Sequence, residues 1–135
     1  MSSSGRDSIV LELNQKLLEA AVGGDWASYA ALCDPSLSCF EAETNGHLVE
    51  GLDFHRFYFP DESPSLSSDA SAGNSVQVTM ARPHLRWLSD DAVVISYTRL
   101  VQRTAGDEAI TSSCCETRIW QQQNNNWKLV HVHRS

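Results

Sequence analysis

Residues 92–134, AVVISYTRLVQRTAGDEAITSSCCETRIWQQQNNNWKLVHVHR, decide the fold class. Two turn signals, Gly106-Asp107 and Asn124-Asn125-Asn126, divide this stretch into three segments rich in β-branched and aromatic side chains. We therefore predict strands over Ala92–Thr104, Ser112–Gln123 and Trp127–Arg134. Because the connections are only a few residues long, neighbouring strands must run antiparallel, as a meander.

A further strand precedes this meander. Apolar side chains alternate from Val76 to Met80, and the pattern resumes at Leu85 after Arg82-Pro83. Proline lacks the N–H that a central strand donates, so this strand must bend at Pro83 or lie at the edge of the sheet. Asp90-Asp91 supplies the turn into the next strand.

The N-terminal part has the spacing of helices. Apolar residues recur every three or four positions after the candidate caps Asp7 and Ser8, up to Gly23-Gly24. A second helix begins after the cap Asp25 and ends before Asp34-Pro35. The tight glycine turn predicts that the two helices pack as a hairpin.

The middle of the chain is less regular. Leu37–Glu41 and His47–Glu50 alternate as short strands around a Thr-Asn-Gly turn. The aromatic segment Leu52–Phe59 is either a short helix or the start of a strand. Residues 60–75 are rich in serine, with little that can pack, and predict a loop.

Helices followed by a meander predict an α+β protein, with the N-terminal helices packed on one face of a strongly curved antiparallel sheet. At 135 residues the chain is long enough for one domain with a substantial core. We assign residues 7–135 to that single domain. Residues 1–6 are expected to be a disordered or tag-derived N-terminus.

Composition excludes several classes of function. The formal net charge is −7, which argues against binding nucleic acid or an anionic membrane surface. No apolar run approaches the length of a membrane span, and the N-terminus lacks the apolar stretch of a secretory signal. The four cysteines show no C-x-x-C spacing, so we expect a reduced, cytoplasmic protein.

Arginine is unusually prominent, since eight of the ten basic residues are Arg. Strand alternation places Arg99 in line with large apolar groups, Arg118 on the face of Glu116, and Arg134 after Val130 and Val132. Each Arg could be a rim residue paired with a carboxylate, or the three could line a basic pocket. In a pocket their repulsion must be offset by Glu116 or by a bound carboxylate or phosphate.

Histidines suggest other sites. His131 and His133 share a strand face and could supply two metal ligands. His55 could act as an acid or base with Asp53, or form a dyad with Cys114 or Cys115. A core or pocket-lining histidine fits the composition better. We therefore expect no metal, no cofactor and no catalytic residue.

Several short sequence motifs indicate a family. The chain resembles the association (hub) domain of calcium/calmodulin-dependent protein kinase II, within the nuclear transport factor 2-like superfamily, from about Asp7 to Ser135. The matching pieces are Cys33-Asp34-Pro35-Ser36-Leu37, Phe40-Glu41, the twelve residues Leu48–Phe59, Glu116-Thr117-Arg118-Ile119-Trp120, Trp127 and Val130-His131-Val132-His133-Arg134-Ser135.

The resemblance implies a cone-shaped fold with a deep pocket and self-assembly into stacked rings built from dimers. It implies a pocket that holds a small carboxylate or other anion through His55, Arg99, Arg118 and Arg134. It implies that this chain has no kinase activity, and we expect that the chain is not an enzyme. The alternative is a small-molecule enzyme of the same cone fold, such as an isomerase or a dehydratase.

Overall fold

The computed structural model describes residues 3–41, 44–56, 59 and 75–135. Its elements, in chain order, are α1 (Ser3–Gly23), α2 (Trp26–Leu32), β1 (Cys33–Phe40), β2 (Val49–Glu50), α3 (Asp53–Arg56), β3 (Ser75–Ser89), β4 (Ala92–Ala105), β5 (Glu108–Gln123) and β6 (Asn126–Arg134). The predicted serine-rich loop lies outside the described residues except for Ser75.

The strands form a six-stranded sheet in the order β2-β1-β6-β5-β4-β3. The sheet is curved and unclosed, and the N-terminal helices complete the fold. The predicted α+β class and the β3-to-β6 meander are confirmed. The sheet is mostly antiparallel, with one exception that the sequence did not predict: β1 and β6 pair in parallel. These two strands are separated by most of the chain, so no short turn dictates their relative direction.

The helix boundaries agree with the capping signals in part. Asp25 caps α2, its carboxylate accepting a hydrogen bond from the backbone N–H of Ser28 at 3.2 Å. Helix α1 begins at Ser3 rather than after the predicted cap Asp7. The carboxylate of Asp7 instead accepts a 2.7 Å hydrogen bond from the indole N–H of Trp87, which ties α1 to β3.

Register shifts interrupt several strands, β3 and β6 among them. In β3 the register shifts between Ala81 and His84, and Arg82 adopts a φ of +54°. The strand therefore bends at Pro83 and also lies at the sheet edge, so both predicted outcomes occur together. In β6 the register also shifts, so that Leu129 and Val132 are both buried although they are three residues apart. Val130 is only partly buried, whereas simple alternation placed it on the same face as Val132.

The core lies between α1 and the inner face of the sheet. Its fully buried members include Leu17 and Leu18 of α1, Ile95 of β4 and Trp120 of β5. Burying one such side chain contributes about 1.5–3 kcal/mol. In the described parts of the chain, no helix is both long and apolar enough to cross a membrane.

Candidate functional site

The inner face of β4 and β5 carries the central charged group. Tyr97 lies directly opposite Glu116, Ile95 opposite Arg118, and Arg99 opposite Cys114. Alternate residues of β5 are buried from Glu116 to Trp120, so both charged side chains point into the core as strand alternation predicted.

Glu116 is the anion that joins two of the predicted arginines. Its Oε1 lies 3.1 Å from Nε of Arg118, and its Oε2 lies 3.3 Å from Nη1 of Arg99. The hydroxyl of Tyr97 donates a 2.5 Å hydrogen bond to Oε1. The side chain of Glu116 is fully buried, so its charge is compensated by these partners rather than by water.

The ionisation of this group follows from its surroundings. Burial by itself raises the pKa of Glu116, but Arg118, the Tyr97 hydrogen bond and Arg99 outweigh it, and the net pKa is lowered. Burial lowers the pKa of Arg118, yet the Glu116 carboxylate raises it well above its usual range. Burial raises the pKa of Tyr97 to about 12. The pair is therefore charged and the phenol neutral at physiological pH.

A polar chain connects the central group to α1. The Asn14 amide donates to the hydroxyl of Tyr97 at 3.0 Å and accepts from the indole N–H of Trp120 at 2.9 Å. Nε of Arg118 donates to the same Tyr97 oxygen at 3.0 Å. Asn14, Tyr97 and Trp120 are all buried, so the network fixes their side-chain positions within the core.

A second charged group surrounds Glu41, immediately after β1. Its Oε1 lies 3.5 Å from Nε2 of His55, and its Oε2 lies 3.6 Å from Nη2 of Arg134. A turn holds the Glu41 backbone, whose carbonyl accepts from the N–H of Thr44 at 3.0 Å. Glu41 and His55 are buried, and the Arg134 side chain is 21% exposed.

The backbone near α3 fixes the position of His55. The N–H of Gly51 donates to the carbonyl of Leu37 at 2.7 Å, and the N–H of Leu52 donates to that of Pro35 at 3.1 Å. Gly51 has a φ of +108°, which only glycine adopts readily. This geometry attaches α3 to β1.

Tyr29 of α2 lies between the two groups. Its ring centroid is 6.0 Å from that of His55. Burial raises its pKa; Arg118 opposes that rise, while the nearby Glu41 charge adds to it. Tyr29 is therefore within electrostatic range of both the Glu41 group and the Glu116 group.

Comparison with known proteins agrees with this architecture. The model of the calcium/calmodulin-dependent protein kinase II association domain family matches residues 6–135. The chain belongs to this family. The earlier resemblance, and the membership it implied, are confirmed.

Individual association domains are similar along nearly their whole length. The chain is 40% identical over 134 residues to the calcium/calmodulin-dependent protein kinase type II alpha chain of Drosophila melanogaster, covering 98% of this chain and 24% of that kinase. The chain thus spans about a quarter of that curated relative.

Solved association domains share the fold. The hub homology domain of Chlamydomonas reinhardtii is 42% identical with a TM-score of 0.83, covering 96% of this chain and 97% of that one. The association domain of the C. elegans kinase is 35% identical with a TM-score of 0.84, covering 98% and 96%.

A more distant structure shares the fold. A protein from Streptomyces avermitilis, described as a dehydratase of the NTF2-like family, is 15% identical with a TM-score of 0.70, covering 99% of this chain and 97% of that one. This likeness shows the fold alone. The enzyme alternative therefore stays a prediction.

In this association domain the four predicted site residues lie on one inner surface, but in two groups. Arg99 and Arg118 share Glu116, whereas Arg134 and His55 share Glu41. Glu116 was a candidate counter-charge, and it does contact two of the arginines. Glu41 was missed as a site residue, although its spacing from Leu37 and Cys39 places all three on one strand face.

The structure gives the surroundings of the histidines used in the other hypotheses. Asp53 is exposed whereas His55 is buried, and Cys39 lies near His55. The pairings of His55 with Asp53, Cys114 or Cys115 stay predictions. Among the described residues, the metal-capable cluster is Cys39, Glu41 and His55 rather than one built on His131 and His133. His131 instead contacts the hydroxyl of Ser38, with Nδ1 2.7 Å from Oγ.

Proposed function

We propose that this chain is a homo-oligomerisation module that assembles into a hub of stacked rings built from dimers. The observation that carries the proposal is the family match over residues 6–135, together with similar domains described as hubs. The bound partner is a second copy of the chain. In a closed ring, every copy uses the same surfaces to contact its neighbours.

The far end of the sheet offers an apolar surface for a second copy. Val76, Arg103 and Ile110 form one row across β3, β4 and β5. This row continues the inner face that α1 covers elsewhere, yet Val76 is 42% exposed and Ile110 is 53% exposed. Apolar groups on an otherwise buried face support association with another copy.

The mass of the assembly tests this proposal. We expect native mass spectrometry and light scattering at low micromolar concentration to show a particle larger than a dimer. Ile110→Lys should reduce that mass, because it places a second positive charge opposite Arg103 in the proposed contact between copies. The matched control is Thr111→Lys, the next residue on the exposed outer face of β5. A wild-type monomer or simple dimer would contradict the proposal.

We also propose that the inner surface binds a small carboxylate or other anion in a deep pocket, through Arg99, Arg118, Arg134 and His55. Two carboxylates, Glu41 and Glu116, face three guanidinium groups there, which leaves a net positive charge. Buried Nη1 of Arg118 and Nε of Arg99 have no hydrogen-bond partner among the described residues. Buried donors of this kind favour an anionic acceptor.

A thermal-shift screen of short-chain monocarboxylates and hydroxycarboxylates tests anion binding. At a hundred times its dissociation constant, a ligand should raise the free energy of unfolding by about 2.7 kcal/mol. Arg99→Gln should abolish the shift. Arg86→Gln, which changes an exposed arginine on β3, should retain it. Equal shifts in both variants, or no shift in the wild type, would exclude the anion site.

We infer that the chain is not itself an enzyme. The lowered pKa of Glu116 supports this inference: burial opposes ionisation, but Arg118, Tyr97 and Arg99 keep the carboxylate charged and engaged. A general base or acid works best with a pKa near the operating pH.

We also propose a cytoplasmic location, since the four cysteines are free thiols.

A further inference from the structure

Three buried side chains beside the charged groups have the composition of a metal site. Cys39, Glu41 and His55 offer a sulfur, a carboxylate oxygen and an imidazole nitrogen, all within 4.8 Å of one another. All three residues are buried. We propose that they bind one Zn²⁺ ion per chain. This proposal does not depend on oligomerisation. With zinc bound, His55 is a metal ligand, and Arg99, Arg118 and Arg134 remain to bind an anion.

The donor set selects the metal. Thiolate, imidazole and carboxylate are the three ligand types that Zn²⁺ takes in proteins, whereas Mg²⁺ and Ca²⁺ take oxygen. Three protein ligands leave a fourth tetrahedral position, which a water molecule fills. Binding displaces the thiol proton of Cys39 to solvent and forms the Zn–S bond.

The distances already approach those of a tetrahedral site. Zn–N and Zn–O bonds of about 2.0–2.1 Å place the two ligand atoms of a tetrahedron about 3.4 Å apart. Nε2 of His55 lies 3.5 Å from Oε1 of Glu41. The Cys39 sulfur lies within 4.8 Å of the other two ligand atoms, so a small inward movement of its side chain completes the tetrahedral ligand set.

The ligand set itself is neutral. One thiolate and one carboxylate neutralise the two charges of the ion, while Arg134, which shares Glu41, is 21% exposed and keeps contact with solvent. Oε1 of Glu41 faces His55, while Oε2 faces Arg134 at 3.6 Å. Arg134 therefore orients the ligand carboxylate through its second oxygen, Oε2, as groups that support metal ligands commonly do.

The three ligands also lie on connected backbone. Cys39 belongs to β1, and Glu41 follows it two residues later on the same strand face. The hydrogen bonds from Gly51 to Leu37 and from Leu52 to Pro35 hold α3, and hence His55, against that strand. Such support limits the reorganisation that metal binding requires.

Metal titration of the untagged full chain, stripped with a chelator, tests the proposal. We expect one equivalent of Zn²⁺ per chain in competition with a chromophoric chelator. Co²⁺ should give visible bands of a tetrahedral ion and a thiolate-to-cobalt charge-transfer band. Absence of stoichiometric Zn²⁺ binding, or a Co²⁺ complex without the thiolate band, would overturn the proposal.

Ligand variants locate the site. Cys39→Ser should weaken Zn²⁺ binding by more than about 100-fold, because losing only a supporting group already costs about 10–100-fold. Cys33→Ser, a buried cysteine on the same strand, should bind as the wild type does. If Cys39→Ser fails to fold by circular dichroism, Glu41→Gln and His55→Gln decide. Wild-type affinity in both of these would refute the site.

Discussion

Nε of Arg118 donates a 3.1 Å hydrogen bond to Oε1 of Glu116, two residues away on the same face of β5. Both side chains are nearly inaccessible to solvent, with exposures of 4% and 0%. An unpaired charge at this depth would be costly, so each residue depends on the other. Arg99 and Tyr97 complete the coordination of the carboxylate.

Glu116→Gln should destabilise the fold by about 3 kcal/mol, because Arg118 then stays buried without a counter-charge. Denaturant unfolding at fixed protein concentration measures this loss, since the stability of an oligomer depends on concentration. Glu108→Gln changes an exposed glutamate on the same strand and should shift stability by less than about 0.5 kcal/mol. Equal effects of the two substitutions would contradict the buried pair.

The same pair predicts a pH dependence. Burial opposes ionisation of Glu116, but Arg118 and the other partners lower its folded-state pKa below the usual 4.5. Its contribution to stability is therefore present above the unfolded pKa and is lost as pH falls through the folded pKa. Melting temperatures of the wild type and Glu116→Gln should differ most near neutral pH and converge below pH 4.5. A constant difference would exclude this linkage.

Asn14→Leu should cost about 2–3 kcal/mol, although it keeps a similar volume. The substitution removes the acceptor for Trp120 and the donor to Tyr97, both of which are buried. Chemical denaturation measures the loss, and Trp120 fluorescence in the native state should shift as its indole N–H loses its partner. Glu12→Ala, on the exposed face of α1, should leave both signals nearly unchanged.

Gly51→Ala should destabilise the protein by about 1–3 kcal/mol through backbone strain. No heavy atom lies within 4 Å of the added Cβ, so the effect comes from the φ of +108° rather than from a clash. Gly23→Ala also meets nothing within 4 Å, but Gly23 is helical and should tolerate alanine or gain stability. Thermal melting of the two variants separates strain from packing.

Much of the architecture could be predicted from local signals. The glycine and asparagine turns marked where β4 and β5 end, and Asp25 marked the start of α2. The hairpin nevertheless continues further than expected, since β5 begins at Glu108 rather than Ser112. Residues 108–111 are exposed, so their pairing with β4 rests on backbone hydrogen bonds that side-chain composition does not reveal.

The local signals did not predict the bulge in β6 or the parallel pairing of β1 with β6. The β1–β6 pairing depends on contacts between segments far apart in the chain, whereas the extra residue at Val130 interrupts the β5–β6 hairpin itself. Periodicity assumes an uninterrupted strand, so it cannot locate a register shift that packing imposes.

By itself, the sequence determined the α+β class, the meander and the inward orientation of Arg99 and Arg118, because turn chemistry and two-residue alternation are local properties of the chain. Tertiary structure decided which charges meet. Glu41 reaches His55 and Arg134 only because β1 pairs with β6 and α3 folds back on β1. Electrostatic interaction depends on distance in space, and that distance is set by the packing of segments remote in sequence.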